Sequence, residues 1–201
     1  PDLAPIVISE EWINEIRSRQ PELRPQKLER YHREYDIPDY DAEIITGTKH
    51  MADLFEETTK ICGKPKKVSN WLMGETMRLL KENSMEAEEI CFAPEHLAAL
   101  IELVDAGTIN GSVAKEVFEE MFKSDVDPEK YVEEKGLKVV NDEGALRETI
   151  EKVIAENPQS VEDYHNGKKK AMGFLVGQTM KAMKGKANPA MVNAILQELL
   201  A

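Results

Sequence analysis

The chain has 201 residues, 41% of them hydrophobic and 32% charged, and a formal net charge of −12. That length can bury one generous core or two modest ones, and the composition is ordinary for a helix-rich globular protein. No window approaches the roughly 18 uninterrupted apolar residues of a membrane span, and the opening PDLAPIVISEEW has neither the basic nor the apolar part of a secretory signal.

The punctuation along the chain is that of helices. Ser9 is the expected N-cap of a helix whose apolar face is Trp12, Ile13 and Ile16, and Pro21 stops it. PQKLERYHREYDIP is a charged helix with Leu28, Tyr31 and Tyr35 at helical spacing, closed by Pro38. Residues 40–46 read as an elbow. Thr48 to Ile61 is amphipathic through Met51, Leu54, Phe55 and Thr58, and Gly63 and Pro65 break it. Val68 to Lys81 is strongly apolar. Pro94 and Gly107 bound the next helix, and Ser112 is expected to cap VAKEVFEEMFK, with Val113, Val117, Phe118 and Met121 facing a core. Asp127-Pro128 opens a short helix that Gly136 ends.

GLKVVND is the one β-branched extended run, and the candidate linker. Three helices are expected after it: Glu143 to Ala155, about Val161 to Lys184, and a last one capped by Asn188 with Pro189 at its first position. The class is therefore all-α, with helix-bundle packing. One internal similarity links two of these helices, WLMGETMR at 71–78 and FLVGQTMK at 174–181. Eight residues do not make a repeat. They suggest that both helices use a glycine for close packing, since glycine inside a helix costs about 1 kcal/mol relative to alanine.

Charge is unevenly spread. The segment 166–197 holds six lysines and no acid, so it carries +6 and the remainder of the chain −18. At about 100° per residue, Lys170, Gly173, Gly177, Lys181 and Lys184 share one flank of the 161–184 helix, while Met172, Val176, Met180 and Met183 form a flank assigned to the core. Bare backbone between ammonium groups suits a ribose-phosphate chain. The same pattern also fits glycines that pack helix on helix and lysines that only solvate a surface.

Chemistry-bearing motifs are missing. His32, His50, His96 and His165 are scattered, with no HExxH and no HxE…CxxC. There is no GxxxxGK[ST], no GxGxxG after a strand and no GxSxG. Acidic runs such as EKYVEEK read as solvated helix faces, and Ser84, Ser112 and Ser124 as caps or turn residues. Cys62 and Cys91 sit in no CxxC, so a reduced cytoplasmic pair is expected. No catalytic residue and no metal ligand is expected in this chain; it reads as a binding module.

The tail DYHNGKKKAMGFLVGQTMKAMKGKANPAMVNAILQELL resembles the C-terminal signature of the B subunit of the glutamyl/aspartyl-tRNA amidotransferase. NWLMGETMRLL at 70–80, DAGTINGSVAKEVFEEMF at 105–122 and EEKGLKVVNDEGALRETIEKVIAENP at 133–158 support it, and PDLAPIVISEEWI resembles the point where that subunit leaves its catalytic cradle. The resemblance covers essentially the whole chain. Stand-alone YqeY-like proteins share the part from about Ile45 onward. The resemblance implies a helical domain over 1–135, of which 1–45 leads in from a missing cradle, and a YqeY-like tail domain over 136–201.

It also implies a parent longer than this chain, in keeping with the missing initiator methionine. That parent works with A and C subunits, mainly through its cradle, to convert Glu-tRNA(Gln) or Asp-tRNA(Asn) to Gln-tRNA or Asn-tRNA, using glutamine, ATP and magnesium. None of the ATP, metal or transfer residues has a position here, so no cofactor is expected in this chain. What carries over is the holding of tRNA, in the cytoplasm, with no DNA and no membrane as partner. The residues this implies are Lys168, Lys169, Lys170, Gly173, Gly177, Lys181, Lys184 and Lys186. The alternatives are a helical protein-interaction module, or a stand-alone YqeY-like protein that binds no RNA.

Overall fold

The structure, a computed structural model, describes residues 8–139, 143–168, 170–183 and 185–200. Among these residues every regular element is a helix. Helix α1 (Glu10–Arg19) is capped by Ser9, whose Oγ accepts from Trp12 N at 3.1 Å. It buries none of its residues, so the expected apolar face of Trp12 and Ile16 lies open. Helix α2 (Arg24–Tyr35) follows, and the elbow expected over 40–46 is instead a helix, α3 (Asp39–Ile45). Pro38 stands at its N-cap and Asp39 and Asp41 lie in its first turn. Acids at that end complement the helix dipole, and this favours a helix where the sequence pattern alone suggests an elbow.

Helix α4 (Lys49–Cys62) packs against α7 (Pro94–Asp105) and forms the centre of the first core. Tyr31, Phe55 and Phe118 are fully buried there, with Tyr31 and Phe55 ring centroids 4.8 Å apart. Between α4 and α7 the apolar stretch expected as one helix is α5 (Pro65–Trp71), a π-helical turn over Leu72–Thr76, and α6 (Met77–Asn83). The Thr76 hydroxyl donates to Trp71 O, five residues back, at 3.2 Å. Helix α8 (Gly111–Ser124) buries Val113, Val117, Phe118 and Met121 as expected, but its cap is Asn110. Asn110 Oδ1 accepts from the amides of Ser112 and Val113, which leaves Ser112 inside the first turn. Helix α9 (Pro128–Glu134) then leads to Leu137, which is buried on the first core. Val139 donates its amide to Thr108 O at 2.8 Å. The rest of the candidate linker, 140–142, lies outside the described residues.

A second, separate core gathers Leu146, Ile150, Leu175, Val192, Ile195 and Leu196. Its elements are α10 (Glu143–Glu156), α11 (Pro158–His165), α12 (Lys170–Ala182) and α13 (Pro189–Leu199). The single helix expected over 161–184 is thus divided, and among the described residues four helices run from Glu143 onward instead of three. The break lies at Asn166 and Gly167. Gly167 takes φ +82°, its amide returns to Tyr164 O (2.9 Å), and Lys168 N reaches Asp163 O (3.0 Å). That is a Schellman ending, and only glycine enters its left-handed position without strain.

Candidate nucleic-acid interface

Helix α12 meets the second core along a line four residues apart. Ala171, Leu175 and Thr179 are buried, and Thr179 Oγ1 satisfies itself on Leu175 O at 2.9 Å. The flank expected to be core, Met172, Val176, Met180 and Met183, is only half-buried and packs at the edge of that cluster. The inward line is displaced by one residue from that reading, and α12 packs beside α10 and α13.

The opposite side of α12 is open. Lys170, Gly173, Gly177 and Lys181 are exposed, and a Cβ built on either glycine would meet nothing within 4 Å. Gly74, in the matching stretch, is equally open. The close packing expected of these glycines is therefore not what they do. What the two matched stretches share is a glycine facing outward and a fully buried threonine facing inward, Thr76 and Thr179. Phe174, between the two α12 glycines, is 46% exposed. It is a surface residue that the apolar pattern did not single out. The signal was there, since Phe174 lies four residues after Lys170 and three before Gly177, on the same flank.

The lysines are not equivalent. Lys170 and Lys181 bracket the glycines, roughly 16 Å apart along the axis, and neither has a carboxylate partner among the described residues. Lys168 is tied to Asp163 Oδ1 at 2.8 Å. Lys186 is half-buried, after Gly185, whose amide closes α12 by donating to Met180 O at 2.8 Å. Lys169 and Lys184 lie outside the described residues. The resulting surface is exposed main chain and one aromatic ring between two unpaired ammonium groups. It can offer point charges to phosphates and a ring face to a base.

The densest polar cluster elsewhere is fully paired. Between α2 and α4, Arg30 grips Glu22 through Nε (2.8 Å) and Nη2 (2.6 Å) and reaches Glu56 Oε1 at 2.9 Å. Tyr31 Oη donates to the same Glu56 oxygen at 2.7 Å, and Lys27 Nζ at 2.5 Å. Burial pushes the Glu56 carboxyl up, but the hydrogen bonds from Lys27 and Tyr31 and the nearby cations outweigh it and hold it below its ordinary value. Glu22 is lowered by its hydrogen bond from Arg30. Both acids in this cluster are paired, so it staples two helices and leaves no poised acid or base. Among the described residues no three His, Cys, Asp or Glu side chains converge as metal ligands do. No described helix is long and apolar enough to cross a membrane.

Among the described residues the chain is all-α, with two cores and an open α12 face that carries glycines and no acid. The family follows from comparison. Residues 53–200 match the GatB domain, and the chain belongs to that family. It is 71% identical over 200 residues to the B subunit of the aspartyl/glutamyl-tRNA(Asn/Gln) amidotransferase of Agathobacter rectalis, a match that covers all of this chain and 42% of that protein. The same-named subunits of Lachnoclostridium phytofermentans and of Thermoanaerobacter sp. are 62% and 56% identical, again over 100% of this chain and 42% of each protein. The chain thus spans less than half the length of these curated relatives.

Proposed function

We propose that this chain is the tRNA-holding portion of the B subunit of a tRNA-dependent amidotransferase, an enzyme complex of the ligase type. The open face of α12 carries the reading: Gly173 and Gly177 have nothing over them and stand between Lys170 and Lys181, which no described carboxylate neutralises. Folded RNA offers phosphates and 2′-hydroxyls at its surface, and a helix with bare backbone lets both approach. In the sequence Lys168, Lys169, Lys184 and Lys186 flank these two lysines. Phe174 adds a stacking surface.

On this reading the activity lies outside the chain. ATP and magnesium would be used in the remaining part of the parent, as would the contacts to the A and C subunits. No step of amide transfer is assigned to residues here.

The test is a titration of unacylated tRNA at several salt concentrations, with the natural chain and with Lys170→Gln/Lys181→Gln. Each phosphate contact contributes roughly 0.7–0.9 to the slope of log K against log salt, so the double variant should lose about 1.5 of that slope. An unchanged slope would remove these lysines from the interface. A protein-docking role has one observation in its favour, the open Trp12 and Ile16 face of α1. It is separated by the same titration, because apolar docking carries little salt dependence.

A further inference from the structure

Asparagine, aspartate and serine cap a helix N-terminus about equally well. At α8 the choice among them is decided by what else the side chain does. Asn110 Oδ1 accepts from Ser112 N and Val113 N, both at 3.1 Å. Its amide nitrogen turns the other way and donates to the carbonyls of Gly185 and Ala187, the latter at 3.2 Å, 77 residues along the chain. A carboxamide has two donor hydrogens and two acceptor lone pairs, and here all four are used. The orientation of the amide is unambiguous, since one end meets only N–H groups and the other only carbonyls.

The two held carbonyls belong to the loop between α12 and α13, on either side of Lys186. The same turn of the body also receives the chain on its way to the tail, through the bond from Val139 N to Thr108 O. The first core ends at Leu137 and the second begins at Leu146, with no residue in common. The turn over 106–110 is therefore a seat of the tail on the body, and the Asn110 amide is a side-chain contribution to it.

We propose that Asn110 is an inter-unit latch, which caps α8 with its oxygen and fixes the α12–α13 loop against the body with its amide. Serine or aspartate could cap, but neither has an NH2 group to donate, and aspartate would set a carboxylate against two carbonyls. The proposal does not rest on RNA binding, because it concerns the arrangement of the chain with nothing bound.

Backbone 15N relaxation of the 201-residue chain tests it. In the natural chain residues 8–137 and 143–200 should share one rotational correlation time. In Asn110→Asp the tail should lose that shared value and tumble faster than the body. The Ser112 and Val113 amides should stay slowly exchanging, since the carboxylate still caps them. Asn110→Ser, which also keeps a cap, is the second variant and should free the tail in the same way. Independent tumbling of the tail in the natural chain, or a shared correlation time in both variants, would overturn the latch.

Discussion

Replacing Gly173 and Gly177 by alanine should move stability and RNA affinity in opposite directions. Within a helix alanine is favoured over glycine by about 1 kcal/mol, because glycine gives up more backbone freedom on folding. The gain is realised only where the new methyl fits. Both positions are open, with no atom within 4 Å of the added Cβ, and neither residue has a positive φ. The double variant should therefore stabilise the tail by about 1–2 kcal/mol, which for a unit of this size raises its melting temperature by at least about 4 °C. Amide signals from α12 and α13, followed through a thermal scan, report on the tail, whereas Trp12 and Trp71 report on the body. The same two methyls stand where a ribose-phosphate backbone would lie against the helix, so affinity for tRNA should fall. Destabilisation would refute the open-face geometry. Stabilisation with unaltered tRNA affinity would refute the close approach of RNA backbone.

Alanine at Gly167 should have the reverse effect on stability: at φ +82° a side chain costs about 1–2 kcal/mol, read as a lower melting temperature of the tail. Asp163→Asn should free Lys168 from its ion pair and strengthen tRNA binding by a few-fold, in line with the roughly 0.2–1 kcal/mol of an exposed pair, measured by the same titration. Glu56→Gln should cost about 2–3 kcal/mol in chemical denaturation, because Lys27, Arg30 and Tyr31 all converge on the lost carboxylate. Glu22 and Glu56 both have folded pKa values below the ordinary 4.5. Their contribution is therefore complete above that pH and is lost as the pH falls through the lowered values, since the unfolded chain binds protons first. Melting temperatures followed from neutral pH to about 3 should show that loss in the natural chain and a weaker one in Glu56→Gln.

What could be read in advance followed from local rules. Ser9 and Asn188 cap as read because a short polar side chain before an apolar period serves few other purposes. The inward residues of α4 and α8 follow the 3.6-residue period. The misreadings arise where a local signal had a rival. Asn110 and Ser112 are both good caps, and the winner is the one whose second end has a partner across the molecule. The glycines of α12 suggested packing and also fitted exposure, and only the surrounding helices decide it. The same holds for Asn166 and Gly167, where a left-handed residue ended a helix that the apolar period alone would have continued. The π turn over Leu72–Thr76 against the regular helix over the matching residues of α12 shows the limit of such reading, since similar octapeptides were bent differently by their surroundings.

The strength of the proposed grip is itself constrained by the lysines. Lys168 is spoken for by Asp163 and Lys186 is half-buried, so among the described residues the fully available charges on this face are Lys170 and Lys181. A few phosphate contacts support sequence-independent binding in the range of roughly 10⁻⁴–10⁻⁶ M, steeply weakened by salt. The net −18 carried by the remainder of the chain disfavours RNA away from α12, which narrows the ways tRNA can approach without adding affinity. The chain on its own should therefore bind unacylated tRNA weakly, and binding should vanish at a few hundred millimolar salt. A submicromolar complex that survived such salt would require base or shape contacts away from α12, and the lysine face would no longer account for the function.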